Sequence, residues 1–207
     1  MVFVPSLPEL RKYVSIIPHR RDKLLIEVLY LSAARANEIA AKGSPSDTTT
    51  KACGEEITWR QDLYQAALRG ATAVKALVLR LRTLKHKDPQ YRSIALPIDP
   101  QFEPWTVDIG RHLVKHGELR FNITRRRIHQ IVSKRLEGLD PTAHPHTLRH
   151  WRLTHLVEYF GFDPYDLTIY AGWTFGTGLK GASGPVDTYL HLDWRRYFPK
   201  LLKRISG

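Results

Sequence analysis

The chain has 207 residues, 43% of them hydrophobic and 10% aromatic, which is enough to bury a core and excludes wholesale disorder. A formal net charge of +12 points to a polyanionic partner, nucleic acid ahead of an anionic membrane surface. The single cysteine, Cys53, excludes an internal disulfide and a cysteine-based zinc site. No positive segment precedes an apolar run at the N-terminus, so no secretory signal is expected. The longest apolar stretch, around Leu24 to Ala34, is interrupted by Glu27 and is too short for a membrane span. The chain therefore reads as a single intracellular domain.

In chain order, Pro5 to Ile17 predicts a short amphipathic helix, with Leu7, Leu10, Val14 and Ile17 at helical spacing. A second helix is predicted from Arg20 to Ala41, through LLIEVLYL and ARANEIAA. The Ser-, Thr- and Gly-rich stretch 42–54 reads as a loop. ITWRQDLY suggests a short strand and turn. AVKALVLRLRTLKHK (73–87) and YRSIALPI (91–98), joined through Asp88-Pro89, predict a β-hairpin with lysines near its tip. Helical patterns then resume. WTVDIGRHLVKHG sets Val107, Ile109, Leu113 and Val114 near one face and stops at Gly117. ITRRRIHQIVSKRLEGL carries Ile123, Ile128, Ile131, Val132 and Leu136 as its stripe. HTLRHWRLTHLVEYFG and DLTIYAGW follow. In the last segment, DWRRYFPKLLKRIS, Pro199 breaks a helical pattern into two short pieces. The order predicts an α+β fold, mainly α, with a small antiparallel sheet.

HPHTLRHWRLTH (144–155) holds four of the chain's ten histidines and two arginines in twelve positions. His146 and Arg149, at i and i+3, share a face. His150 points elsewhere and is expected to be a structural, hydrogen-bonding histidine, while His144 and His155 are expected at the surface or as caps. A metal on His146 and His150 would lack a third ligand nearby, so no metal site is assigned.

These residues also carry a family resemblance. HPHTLRHWRLTHLVEYFG resembles the second signature box of the tyrosine recombinases (phage-integrase family), whose core is H-x-L-R-H. LYLSAARANEIAAK resembles the first box, with Arg35 and Glu38 as its R-x-x-E. TLKHK followed by YRSIALP resembles the lysine-bearing hairpin. AGWT followed by DTYLHL resembles the third box, with Trp173 where many members carry histidine and Tyr189 as nucleophile. The pieces fall in the family's order and span roughly residues 8–200. The resemblance implies the recombinase catalytic-domain fold and catalytic roles for Arg35, Lys85, His146, Arg149, Trp173 and Tyr189. Glu38 would orient Arg35, and His150 is a secondary candidate. The T-K-x-K pattern selects Lys85, whereas counting back from YRSIAL selects Lys87. Lys85 is taken as the acid, with Lys87 as the alternative.

The chemistry fits these residue types. Arginine grips phosphate through a planar fork and stays charged, so Arg35 and Arg149 suit a pentacoordinate transition state. A tyrosine hydroxyl titrates near 10 and needs a positive field or a base to attack at neutral pH. A lysine can protonate the departing 5′ oxygen. The expected product is a 3′-phosphotyrosine link, formed without metal, ATP or other cofactor. RFNITRRRIHQIVSKR (120–135), with six Lys/Arg and no acid, predicts a helix resting on DNA backbone through Arg125, Arg126, Arg127, Lys134 and Arg135.

The resemblance also shows departures. No counterpart of the family's N-terminal core-binding domain is expected within these 207 residues. The glycine-rich stretch 174–187 is longer than usual before Tyr189, which suggests a flexible tether able to act in a partner's site. The C-terminal segment 190–207 has two open roles, docking on a neighbouring protomer or packing on its own domain. The implied partners are double-stranded DNA and further copies of the chain in a tetrameric synapse. The implied setting is the cytoplasm, at the nucleoid, with a prokaryotic, viral or plasmid element as source. A topoisomerase of the same chemistry and a non-cleaving DNA-binding module remain as alternatives.

Overall fold

The computed structural model describes residues 3–40, 57–65, 73–83, 90–173 and 193–205. Those residues form a mixed, mainly helical fold with one three-stranded antiparallel sheet. Helix α1 (Leu7–Ser15) begins at a reciprocal cap. The Ser6 hydroxyl accepts from the Glu9 amide, and the Glu9 carboxylate accepts from the Ser6 amide. Its stripe of Leu7, Leu10 and Val14 is buried, as is Ile17 beyond it.

Helix α2 (Arg20–Ser32) is the hub. Every residue from Leu24 to Ser32 is buried, and α1, α4, α5 and α6 all pack around it. The sequence predicted one helix to Ala41. Instead α2 stops at Ala33, which adopts a left-handed conformation (φ 46°), and the chain restarts as the single turn α3 (Ala36–Ile39). Alanine resists this conformation by about 1 kcal/mol. The break persists because side-chain donors from elsewhere in the chain occupy the carbonyls it exposes, as described below.

The sheet is a meander, β1 (Thr58–Gln65), β2 (Ala73–Thr83) and β3 (Gln90–Pro97), in that order. ITWRQDLY is thus a full edge strand rather than a strand and turn. Trp59 pairs with Leu79, Leu79 with Ile94 and Leu77 with Leu96. The β2–β3 ladder runs to Thr83↔Gln90, so the tip of the hairpin, with Lys85 and Lys87, lies outside the described residues.

Helix α4 (Pro104–His116) closes on Gly117 at φ 70°. Its buried face is Trp105, Thr106, Ile109 and Leu113, while Val114 is 78% exposed, so the predicted stripe is rotated. Helix α5 (Arg125–Leu136) is capped by Thr124 and buries Ile128, Ile131, Val132 and Leu136. Helix α6 (Pro145–Glu158) packs across α2, and α7 (Pro164–Ala171) is capped by the Asp163 carboxylate. The tail forms a 3-10 turn (Trp194–Arg196) and a last short helix, α8 (Phe198–Leu201), with Pro199 in its first turn. Trp194, Tyr197, Phe198 and Leu201 are buried in the chain's own core, and the Tyr197 hydroxyl accepts from the Ala95 amide at 2.9 Å. Arg196 bonds Asp163 (2.7 Å) and Asp166 (3.0 Å), tying the tail to α7. Among the described residues no helix is long and apolar enough to cross a membrane.

Candidate active site

Two helix ends build the site. The C-terminus of α2 presents the carbonyls of Ser32 and Ala33, and that of α7 presents those of Tyr170 and Ala171 before turning at Gly172 (φ 66°). A helix C-terminus carries partial negative charge, so cations settle there. Arg149, on α6, donates Nη1 to the Ala33 carbonyl and Nη2 to the Ala171 carbonyl (2.9 Å). Arg92, on β3, donates Nη1 to the carbonyls of Ser32 (3.0 Å) and Tyr170 (2.6 Å) and Nη2 to the Glu38 carboxylate (2.9 Å). These bonds hold the break at Ala33 in place.

Glu38 is buried and serves two arginines. Its second oxygen accepts from Arg35 Nη1 at 3.1 Å, and its carboxylate also caps the Arg35 amide at 3.0 Å. Three arginines therefore face one carboxylate, and the cluster carries a formal surplus of positive charge. Burial, followed by repulsion from Arg92 and Arg35, pushes the Arg149 guanidinium down to about 10, so it stays charged at neutral pH. That surplus suits an anion.

His146 is exposed at the start of α6. Burial of part of its ring, then Arg149, His144, Arg35 and His150, hold it below the ordinary histidine range, which favours the neutral imidazole. It shares an open concavity of about 260 Å³ with Arg35, Arg125 and His129. Trp173 is 44% exposed and follows α7, its amide donating to the Thr168 carbonyl at 3.0 Å. The Arg149 guanidinium lies 5.9 Å from its ring. Trp173 and Arg92 line a second concavity of about 390 Å³, with Tyr91 and Trp194. Arg149 is itself buried, with the Ala33 carbonyl on one Nη and the Trp173 ring, which lines the second hollow, beside its guanidinium.

Arg35, Glu38, His146, Arg149 and Trp173 thus come together from α3, α6 and the end of α7. Tyr189, Lys85 and Lys87, and the stretch 174–187, fall outside the described residues. His144 caps α6, its Nδ1 accepting from the amides of His146 (3.2 Å) and Thr147 (3.3 Å). His150 is exposed. One histidine expectation needs correction. His155 is neither surface nor cap. It is fully buried, with Nδ1 2.7 Å from the Tyr30 hydroxyl and Nε2 2.7 Å from the Pro5 carbonyl. Because that carbonyl can only accept, Nε2 carries the proton and Nδ1 accepts from Tyr30.

Along α5, Arg125, Arg126, Arg127 and Lys134 are exposed, and Arg127 leans on Gln130 (3.3 Å). Arg135 bonds Asp22 of α2 at 2.8 Å, so its guanidinium is already engaged within the fold. Arg92 was missed in the sequence. Its signal was an arginine on the strand face shared with Ile94 and Leu96, both fully buried, where a charge demands a partner. Among the described residues no group of three or more potential ligands could hold a metal ion. No protein-family model matches the chain, and no curated protein matches it.

Proposed function

We propose that the chain is a site-specific DNA recombinase of the tyrosine type, breaking and rejoining double-stranded DNA through a 3′-phosphotyrosyl intermediate. The observation that carries this reading is the meeting of Arg35, His146, Arg149 and Trp173, drawn from three separated segments, around one cationic cluster. Arg35 and Arg149 hold the non-bridging oxygens of the scissile phosphate and stabilise the charge that grows there. The Trp173 indole donates its N–H to the same phosphate. His146, neutral in the free protein, accepts the proton of the Tyr189 hydroxyl or donates to a phosphate oxygen. Tyr189 attacks phosphorus, the 5′ oxygen departs with a proton from Lys85, or Lys87 in its place, and the attack of a 5′-hydroxyl from a second strand reverses the step. Four copies on two duplexes complete an exchange.

The test begins with duplexes that carry a randomised core and a nick close to it, so that cleavage releases a short fragment and traps the adduct. Wild-type protein is expected to yield a denaturant-resistant protein–DNA band whose recovered sequences define a site. Tyr189→Phe is expected to yield none. A band that survives Tyr189→Phe, or no band with the wild type, removes the proposal. Plasmid relaxation without exchange between two selected sites would reassign the same chemistry to a topoisomerase. For the long stretch before Tyr189, mixing Tyr189→Phe with Arg149→Ala protein is expected to restore cleavage when the tyrosine acts in a partner's site. Continued inactivity places it in its own.

A further inference from the structure

The concavity that Arg35 and His146 share has a second wall which the proposed chemistry leaves unused. Arg125 and His129, at i and i+4 on α5, line it from the opposite side. Among the described residues no carboxylate lines this hollow. The His129 ring lies 6.5 Å from that of His144, nearly parallel at 24°, and the His144 ring lies 6.3 Å from that of His146 at 11°. Three imidazoles thus run in file along the edge of the hollow, with Arg125 at one end and Arg35 at the other.

We propose that this hollow is a second phosphate seat, taking the DNA phosphate next to the scissile one, with Arg125 and His129 as its ligands, and that His129 takes up a proton when the phosphate arrives. The inference rests on the reading of Arg35 and His146 as part of the scissile-phosphate grip. Successive phosphates advance by about 3.4 Å along the helix axis on each strand, so a protein that grips one meets its neighbours. The hollow far exceeds the share of a single water, about 30 Å³.

The charges around His129 explain why the proton waits for DNA. Among the described residues the groups facing it are Arg125 from its own helix, His144 from the cap of α6, His146 from the first turn of α6, and Arg35 from α3. All are cationic or can become so. Partial burial, then Arg125, then His144, hold His129 below the ordinary histidine range. The free protein therefore keeps a neutral imidazole there. A phosphate inverts the local field and makes the imidazolium a strong donor.

The test uses the full chain with Tyr189→Phe, so that no covalent capture intervenes, and a plain duplex of arbitrary sequence at fixed salt. Binding is expected to be about tenfold tighter near pH 6 than near pH 8, with about one proton taken up per complex. Proton uptake is read by calorimetry in buffers of different ionisation enthalpy. Adding His129→Gln is expected to abolish the pH dependence. Adding His129→Arg, which supplies a permanent charge, is expected to restore tight binding at both values with no proton uptake. Arg125→Gln is expected to weaken binding alike at both values and to lower the salt slope by about one. The imidazole protons of His129 are expected to move to protonated shifts when duplex is added near pH 7, a change that a merely structural residue would not show. Unchanged pH dependence in His129→Gln, or an unmoved His129 resonance, overturns the seat. Adduct formation by wild type without proton-linked binding overturns the seat alone. Proton-linked binding without adduct overturns strand transfer alone. No binding of duplex at either pH overturns both.

Discussion

Arg149 shows how a single side chain does two jobs in this molecule. Its two Nη atoms bond the carbonyls of Ala33 and Ala171, which fixes the fork while leaving the cation beside the Trp173 ring. A lysine would keep the charge but could not satisfy two carbonyls and a phosphate from one planar fork. Arg149→Lys is therefore expected to slow adduct formation on the selected nicked duplex by about a hundredfold, and Arg149→Ala by about a thousandfold or more. Single-turnover rates measure both. Lysine performing as well as arginine would mean that charge, not geometry, is what this position supplies. At this scale short motifs singled out Arg35, His146, Arg149 and Trp173, and the fold brings these four side chains near one another. The sequence was not readable for Arg92 and His155. Their roles depend on carbonyls and hydroxyls far away in the chain, at Tyr170, Ser32, Pro5 and Tyr30, which no local pattern announces.

The interruption between α2 and α3 is an element-scale decision made by tertiary contacts. Ala33 and Ala34 are good helix formers, and local propensity favours one helix to Ala41. The fold overrides it because a continuous helix would consume the carbonyls that Arg92 and Arg149 need and would carry Arg35 away from Glu38. Helices α1, α4, α5, α6 and α7 were legible from their helical patterns, and the end of α4 from Gly117. The break had no such signal. A substitution series at Ala33 checks the account. Glycine relieves the left-handed strain, worth about 1 kcal/mol, but gives up a buried methyl worth about 0.8 kcal/mol and loosens the unfolded chain, so the net change is near zero. Isoleucine, branched at Cβ in a left-handed and fully buried position, is expected to lose more than about 2 kcal/mol. Urea midpoints compare the two. Equal losses for glycine and isoleucine would show that packing, rather than backbone conformation, governs the site.

At the scale of the whole molecule, two buried titratable groups set opposite limits on stability. Glu27, in the middle of α2, is raised to about 8, chiefly by burial, with Asp108 and Glu103 adding repulsion. The Lys23 ammonium, 3.7 Å away, opposes this, but one Glu27 oxygen is buried without a hydrogen-bond partner, and desolvation prevails. His155 is lowered to about 4, again chiefly by burial, with Arg152 and Arg11 adding repulsion. For Glu27 the folded chain holds a proton that the unfolded chain releases near its ordinary 4.5. Its contribution is whole below that value and is lost as pH rises towards 8. For His155 the folded chain sheds a proton that the unfolded chain keeps below its ordinary 6.5. Its contribution is whole above that value and is lost as pH falls towards 4. Between 4.5 and 6.5 the two slopes oppose one another, and from 6.5 to 8 Glu27 acts alone. The free energy of unfolding is therefore expected to stay nearly level across the lower window and to decline across the upper one, with a slope of at most about 1.4 kcal/mol per pH unit, and the melting temperature to follow it. Glu27→Gln removes the proton exchange and is expected to flatten the decline, leaving the variant the more stable protein near pH 8. His155→Gln is expected to unmask the Glu27 slope in the lower window as well, so that stability there falls steadily with rising pH. A Glu27→Gln protein that declines in parallel with the wild type from 6.5 to 8 would show that the Glu27 carboxyl is ionised in the folded chain, and that Lys23 rather than burial decides its charge.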